Sequence, residues 1–386
     1  MFSGRVLNFS QLRDTSMQQS YHERFAKGAR NLLINCAGCA TGDKLLIVCE
    51  TDTVGYYDPS MGHAIQAVGA QFGLITEIVG VPLNRDVCDP DPSLVAKMAA
   101  ADCTLFLARL GDQIRFRSKS TDTVQVVSYA LDGQMLASPF GTIEHQAMEA
   151  LRDLINGAIC GADEVHVTCP AGTDFRGSYQ GAPLAGSDTT LKRFPVSVYA
   201  PIPADGFRGR IAQNGFLTGT GSQYYTPWSC GLEETLFVNF ERNRITGFTG
   251  SQKDVSAATA HYEFVGRKYG LDTYYVHSWH GGIHPGCAFD DPAGTHFERW
   301  SGGAFGNPRL MHFHTCGAYP PGEISLNILD ATVRLDGVAV WEGGRLRPER
   351  IRGGRALRER FADLCASFKD PATSVGQAAC GQLRFA

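Results

Sequence analysis

The sequence lacks several features that would place it in a common functional class. No apolar run approaches the about 20 residues that cross a bilayer, and no basic tract is present in a chain of formal net charge −4. The N-terminal segment also lacks the apolar core of a signal peptide. We therefore expect a cytoplasmic protein that binds neither membrane nor nucleic acid, with reduced cysteines.

Nucleotide-binding loops are missing as well. Neither a GxGxxG nor a GxxxxGK[ST] motif follows the first predicted strand, at residues 44–49. Cys36 and Cys39 form a lone CxxC motif, without the second pair that a zinc ribbon needs. We interpret these two cysteines as structural.

The pattern of strands and helices changes along the chain. Its first part alternates short apolar strands with helices, which is typical of a parallel sheet. After residue ~165, glycine, aromatic residues and short alternating runs increase, which favours strands. The sequence therefore predicts the α/β class: an α/β domain with a parallel sheet at 1–165, then a strand-rich α+β metal-binding domain at 166–386.

Histidines are concentrated in the second predicted domain. Six of the eleven histidines lie between His277 and His314. Apolar residues interleave with His312 and His314 in a pattern typical of a strand, so both side chains are expected on one face. Neutral imidazole is a common ligand of zinc, iron and copper, so a metal site is the leading interpretation and incidental polar packing is the alternative.

The C-terminal half resembles the thermophilic metallo-aminopeptidases (aminopeptidases T and S) and their iron-dependent relative, 2,5-dihydroxypyridine 5,6-dioxygenase. The segments that carry this resemblance follow one another in family order, and they are 167–174, 237–250, 282–285, 291–296, 312–314 and 335–344. They include a Gly-Thr-Asp segment, a Gly-x-His-Pro turn and a His-x-His in place of the family's His-x-Asp. The resemblance implies a metalloenzyme that forms homo-oligomers.

Departures from the family pattern favour its dioxygenase branch. The segment 194–198 and Ser278 stand where the aminopeptidases have metal-binding glutamates, and His314 replaces an aspartate. Two divalent ions need several carboxylates, whereas a histidine-rich site suits a single ion. The resemblance thus implies His284, His312 and His314 as ligands of one metal, Fe(2+) or alternatively Zn(2+).

Further site residues are assigned around these ligands. His296 is interpreted as a fourth ligand or as a catalytic acid/base, with Asp291 and Glu298 orienting its ring. Asp174 and Arg176 follow a strand, where ligands of α/β sheets gather, and Arg176 could pair with a substrate carboxylate or phenolate. Tyr225 could form an aromatic wall for the substrate.

The expected function is cleavage of a small hydroxylated aromatic or N-heterocyclic ring by dioxygen at one iron(II). The expected partners are therefore a small-molecule substrate and O2. One alternative is a zinc- or cobalt-dependent hydrolase that cleaves amides in the same pocket. Another is a relative that binds a small ligand without catalysis.

Overall fold

The computed structural model describes residues 15–51, 55–86, 89–117, 121–179, 181, 184 and 189–385. In chain order these residues form the helices α1 (Thr15–Arg30), α2 (Met61–Gln71), α3 (Pro92–Ala100), α4 (Arg109–Ile114), α5 (Gly133–Ala137), α6 (Pro139–Thr142), α7 (His145–Cys160), α8 (Gln252–Tyr269), α9 (Phe297–Gly303), α10 (Gly354–Arg360) and α11 (Ala362–Lys369). None of the helices in these ranges combines the length and apolar character that spanning a bilayer requires.

The strands form one parallel and two antiparallel sheets. They are β1 (Lys44–Glu50), β2 (Ile75–Val81), β3 (Cys103–Leu107), β4 (Val124–Ser128), β5 (Val165–Thr168), β6 (Asp174–Gly177), β7 (Lys192–Phe194), β8 (Ile202–Pro203), β9 (Phe207–Gln213), β10 (Phe216–Thr218), β11 (Ser229–Gly231), β12 (Leu236–Glu241), β13 (Arg244–Thr249), β14 (Val276–Gly281), β15 (Leu310–Thr315), β16 (Ile324–Leu329), β17 (Thr332–Leu335), β18 (Val338–Glu342) and β19 (Arg345–Leu346).

The parallel sheet has the strand order β2-β1-β3-β4-β7. Its inner strands are apolar because helices cover both faces, and every residue of β3 is buried. α2 connects β1 to β2, and α3 connects β2 to β3. The expected α/β class is confirmed, and so is the alternation of strand and helix that predicted it.

The antiparallel sheets have the orders β11-β10-β16-β15-β14-β8 and β13-β12-β9-β6-β5-β17-β18-β19. They pack face to face through aromatic side chains. Phe175 of β6 lies 5.1 Å from Phe313 of β15 and 5.4 Å from Trp279 of β14, between ring centroids. This aromatic layer occupies one face of the six-stranded sheet. Side chains on the other face share a cavity with residues of the parallel-sheet region.

The pairing of the strands does not follow the predicted boundary at residue 165. β5, at the boundary, pairs antiparallel with β6 and β17 in the eight-stranded sheet. β7 then returns to the parallel sheet and pairs with β4. The division into 1–165 and 166–386 stays a prediction, and the strand pairing adds β7 to the sheet of the first part.

Candidate metal centre

Three imidazoles converge on the face of the six-stranded sheet opposite the aromatic layer. His280 lies on β14, and His312 and His314 lie on the neighbouring strand β15. Each offers a ring nitrogen, and these three nitrogens all lie within 4.8 Å of one another. We call these residues the histidine triad.

Strand pairing produces this convergence. β14 and β15 are antiparallel, and His280 is directly opposite His312. Trp279 and Phe313 alternate with the histidines and point into the aromatic layer, with 6.4 Å between their ring centroids. Side chains on successive strand residues point to opposite faces, so the aromatic anchors direct the imidazoles to the other side.

Gly282 completes the local geometry beyond His280. The backbone N–H of Gly282 donates to the carbonyl oxygen of Leu310 at 3.0 Å, which continues the pairing of the two segments past β14. A Cβ at Gly282 would clash with the backbone of Gly306 and Asn307. Glycine is therefore required at position 282, because the segment after His280 lies against the backbone of the segment before His312.

The protonation of His280 follows from its hydrogen bonds. Its Nδ1 lies 3.1 Å from the carbonyl oxygen of Tyr199, so Nδ1 carries the hydrogen and Nε2 carries the lone pair of the neutral ring. That Nε2 lies 2.7 Å from Nε2 of His312 and 2.9 Å from Nε2 of His314.

His314 is oriented in the same way by a carboxylate. Its Nδ1 donates to Oε1 of Glu323, which also accepts from the hydroxyl of Thr220 at 2.7 Å. Its Nε2 lone pair therefore faces that of His280. A carboxylate that holds the far nitrogen of an imidazole is the usual support of a metal-binding histidine.

The surroundings of His312 favour the neutral form of its ring. Burial first, then the imidazoles of His280 and His314, then Arg115 and Arg193, hold the pKa of His312 well below its ordinary value. The ring is therefore neutral at physiological pH. Its Nδ1 is buried and has no hydrogen-bond partner among the described residues.

These residues fit a single divalent cation. Three neutral imidazoles cannot satisfy all the contacts between their Nε2 atoms, because the His280 and His314 nitrogens are both acceptors. One cation that accepts the three lone pairs removes this conflict. Two nitrogen ligands about 2.1 Å from an ion and at right angles to each other lie about 3 Å apart, close to the distances around His280.

The triad lines a cavity of about 210 Å³ between the parallel sheet and the six-stranded sheet. Aromatic side chains form much of its wall. Phe305 lies against His312, with 4.3 Å between ring centroids. Tyr319 lies 4.2 Å from Phe116 and 5.5 Å from His277, and all three line the cavity. A planar ring could stack between these surfaces.

Charged side chains reach the same cavity from the carboxyl side of the parallel sheet. Asp112 and Arg115 come from α4 and its end, and form a buried ion pair. The Tyr129 hydroxyl, just beyond β4, donates to Asp112 at 2.8 Å. Arg193 of β7 and Glu323 complete the charged part of the wall. The site therefore combines the carboxyl ends of parallel strands with one face of an antiparallel sheet.

His284, the third predicted ligand, does not belong to the triad. It is fully buried beyond the end of β14, where its Nδ1 accepts from the backbone N–H of Gly286 at 3.1 Å and its ring edge meets Phe140 at 4.8 Å. Burial lowers the pKa of His284 to about 3. His280 takes its place because strand pairing, which ends before His284, sets which side chains face β15.

The predicted catalytic residues lie outside the described cavity lining. His296 caps α9, where its Nδ1 accepts from the backbone N–H of Arg299 at 3.2 Å. Asp291 is exposed in the preceding loop. Glu298 is buried and pairs with Arg109 at 3.0 Å and Arg85 at 3.1 Å. Glu298 thus joins α9 to the parallel-sheet region instead of orienting the His296 ring.

The predicted substrate-binding residues are also placed elsewhere. Asp174 and Arg176 are exposed on β6, and Asp174 pairs with His166 at 2.8 Å. They belong to the eight-stranded sheet, away from the triad cavity, because their strand is antiparallel and not part of the parallel sheet. Tyr225 is buried, and its hydroxyl donates to the carbonyl oxygen of Glu323 at 3.1 Å. It supports the backbone behind the triad and does not line the cavity.

Sequence reasoning missed His280, Glu323, Arg115 and Arg193. The signal for His280 was present, because Trp279 alternates with it just as Phe313 alternates with His312 and His314. The others come from distant segments, and no spacing in the sequence connects them to the triad.

Comparisons with known proteins concern the fold. No protein-family model matches the chain, and no curated protein sequence matches it. The structure of 2,5-dihydroxypyridine dioxygenase from Pseudomonas putida KT2440 is similar, with a TM-score of 0.57 and 15% identity over 86% of this chain and 99% of that one. Wild-type AmpT from Thermus thermophilus is also among the similar structures, with a TM-score of 0.47 and 11% identity over 84% of this chain and 99% of that one.

The first of these likenesses shows a shared fold over most of the chain. The chain has the fold of the dioxygenase structure. The resemblance expected from the sequence is confirmed at this level, while function depends on the chemistry of the site.

Proposed function

We propose that the histidine triad binds one iron(II) ion and that the protein is a dioxygenase that opens small hydroxylated aromatic or N-heterocyclic rings. The observation that carries this proposal is the convergence of three buried imidazole nitrogens, two of them fixed as acceptors by Tyr199 and Glu323. A protein of the same fold is a dihydroxypyridine dioxygenase, which supports the proposed reaction class.

The donor set is suited to this chemistry. Three ligands on one face of an ion leave positions for a substrate and for dioxygen. Bound iron(II) would supply a Lewis acid for a ring hydroxylate and the redox chemistry that oxygen activation requires. Because all three ligands are neutral, the site would keep the full charge of the metal and favour an anionic, chelating substrate.

The cavity residues have separate tasks in this proposal. Phe305, Phe116 and Tyr319 hold the ring and exclude water from it. In this proposal His277 is the base that accepts the proton of the ring hydroxyl. Its ring lines the same cavity, and its Nδ1 lies 2.8 Å from the Ser278 hydroxyl. This role replaces the one expected for His296.

The test is metal analysis combined with oxygen uptake. Protein loaded anaerobically with iron(II) should hold about one ion per chain and consume oxygen with 2,5-dihydroxypyridine or another dihydroxylated ring. His312→Ala should lose both properties, whereas His63→Ala, at an exposed helical position, should keep both. Wild-type protein without stoichiometric metal, or without oxygen uptake on any such ring, would contradict the proposal.

A zinc hydrolase is the second candidate, because three histidines with an open position also form catalytic zinc sites. Cleavage of aminoacyl chromogenic substrates without oxygen would identify this activity. A paired-metal peptidase is disfavoured, since the triad is the only cluster of three or more potential ligands found in the described ranges, and it contains no carboxylate. Homo-oligomer formation and a cytoplasmic location stay predictions.

A further inference from the structure

The triad cavity contains two arginines that the proposed ring cleavage does not require. Arg115 and Arg193 both line it, as His312 does. They approach from the parallel-sheet region, across the cavity from the strands that carry the triad. A substrate held by the triad therefore has cationic groups beside it.

The buried Arg115 side chain has a hydrogen-bond donor that no described residue accepts. Its side chain is only 7% exposed, and it lies over the Phe116 ring at 4.5 Å. Nη1 is engaged by the side chain and backbone carbonyl of Asp112, but the buried Nε has no hydrogen-bond partner among the described residues. The Nε edge of a guanidinium can bind a carboxylate through two parallel hydrogen bonds. A buried donor without a partner is costly, so a ligand oxygen here would be stabilising.

Other contacts hold Arg115 and Asp112 in position. The Tyr129 hydroxyl donates to the Asp112 carboxylate. Gly221, at φ +72, lies so close to the same carboxylate that a Cβ there would clash with it. The backbone carbonyl of Arg115 accepts from the backbone N–H and the hydroxyl of Thr190, at 2.8 and 3.0 Å. The guanidinium is therefore preorganised.

Charge balance limits what the cavity can hold. Among its described ionic side chains, the arginines Arg115 and Arg193 are balanced by the carboxylates of Asp112 and Glu323. A divalent metal on three neutral imidazoles would add two positive charges. A ring with one deprotonated hydroxyl and one carboxylate would neutralise them. The cavity of about 210 Å³ is smaller than the about 300–1,000 Å³ of drug-sized sites, which favours a single ring.

We propose that the substrate is a hydroxylated single ring that also bears a carboxylate, with its hydroxyl toward the triad and its carboxylate bound by Arg115 and Arg193. This inference rests on the proposed function for the position of the ring. It adds a specificity determinant in which the arginines select carboxylated rings over the same rings without that group.

The test is anaerobic calorimetric binding to zinc-loaded protein, which separates binding from turnover. The probes are catechol and 3,4-dihydroxybenzoate, which differ only in the carboxylate. We expect 3,4-dihydroxybenzoate to bind about 10-fold more tightly or better, since two charge-assisted contacts are added. Arg115→Gln and Arg193→Gln should each reduce this preference, measured as the ratio of the two affinities, about 10-fold.

Two further variants make the test decisive. Arg115→Lys keeps the charge beside Asp112 if the glutamine variant does not fold, and it should retain an intermediate preference because lysine cannot bind in bidentate fashion. Arg117→Gln, whose arginine pairs with Asp89 outside the cavity lining, is the matched control and should keep the full preference.

Equal affinities for the two probes in wild-type protein would overturn the proposal. So would a preference that survives in both glutamine variants. Failure of the dioxygenase function is read separately, from metal content and oxygen uptake. A protein that prefers the carboxylated ring through Arg115 but consumes no oxygen would retain this inference and lose the proposed reaction.

Discussion

The histidine triad and two nearby histidines come from one histidine-rich segment of the chain, but their surroundings differ. We call His284 and His296 the loop pair. Each ring of the loop pair accepts a hydrogen bond from a nearby backbone N–H, of Gly286 and Arg299 respectively. The triad nitrogens instead face one another across 2.7 and 2.9 Å around His280.

This difference shows which property of a histidine predicts a ligand. His284 is as deeply buried as any member of the triad, so burial does not separate the two groups. The separation comes from where the lone pair points: toward a local N–H in the loop pair, and toward other lone pairs in the triad. Only the second arrangement leaves electron density for a cation.

Removal of a triad imidazole should have the largest effect. His280→Ala is expected to weaken metal binding on the order of 1,000-fold, since each ligand contributes a few kcal/mol to a metal site. His284→Asn, which keeps an acceptor for the Gly286 N–H, should retain about one metal per chain. Elemental analysis after dialysis measures the metal content of the two variants. Metal retained in His280→Ala but lost in His284→Asn would reverse the comparison.

A change behind the triad should have an intermediate effect. Glu323→Gln keeps the size of the side chain but removes the charge that orients His314. We expect metal affinity to fall about 10- to 100-fold, as is typical when the partner of a metal-binding histidine is changed. A competition titration with a chelator measures this. Glu233→Gln, at an exposed ion pair with Lys253, is the control and should leave the affinity unchanged.

The pH dependence of stability should reveal the neutral state of His284. The pKa of His284 is about 3 in the folded protein because burial disfavours its charged form, whereas an unfolded histidine titrates near 6.5. Below pH ~6.5 the unfolded chain takes up this proton and the folded protein does not, so the unfolding free energy falls as the pH is lowered toward 3.

The measurement is urea unfolding of metal-free protein. Between pH 6.5 and 5, His284 alone should cost wild-type protein about 1.6 kcal/mol. The unfolding free energy of His284→Asn should fall by about that much less over the same range. Identical slopes for the two proteins would mean that the His284 ring can be protonated in the folded state.

The smallest effect is expected at His296. Loss of the acceptor that caps α9 should reduce the unfolding free energy by about 1 kcal/mol in His296→Ala, and His296→Asn should restore most of it. Metal affinity should be unchanged in both variants. A large loss of metal affinity in His296→Asn would return His296 to the site that the sequence predicted for it.

Local patterns predicted much of the fold. The alternation of apolar strands and helices before residue ~165 predicted the parallel sheet. The same period-two pattern placed His312 and His314 on one face of β15. These features depend on neighbouring residues, which the sequence displays directly.

By itself the sequence determined the fold class, the strand that carries two triad histidines and the resemblance to a dioxygenase fold. The tertiary structure alone decided that His280 and not His284 completes the triad, and that Glu323, Arg115 and Arg193 meet there. The physical reason is that strand register and the docking of the parallel sheet bring distant segments together. Neither is encoded in the spacing of any one segment.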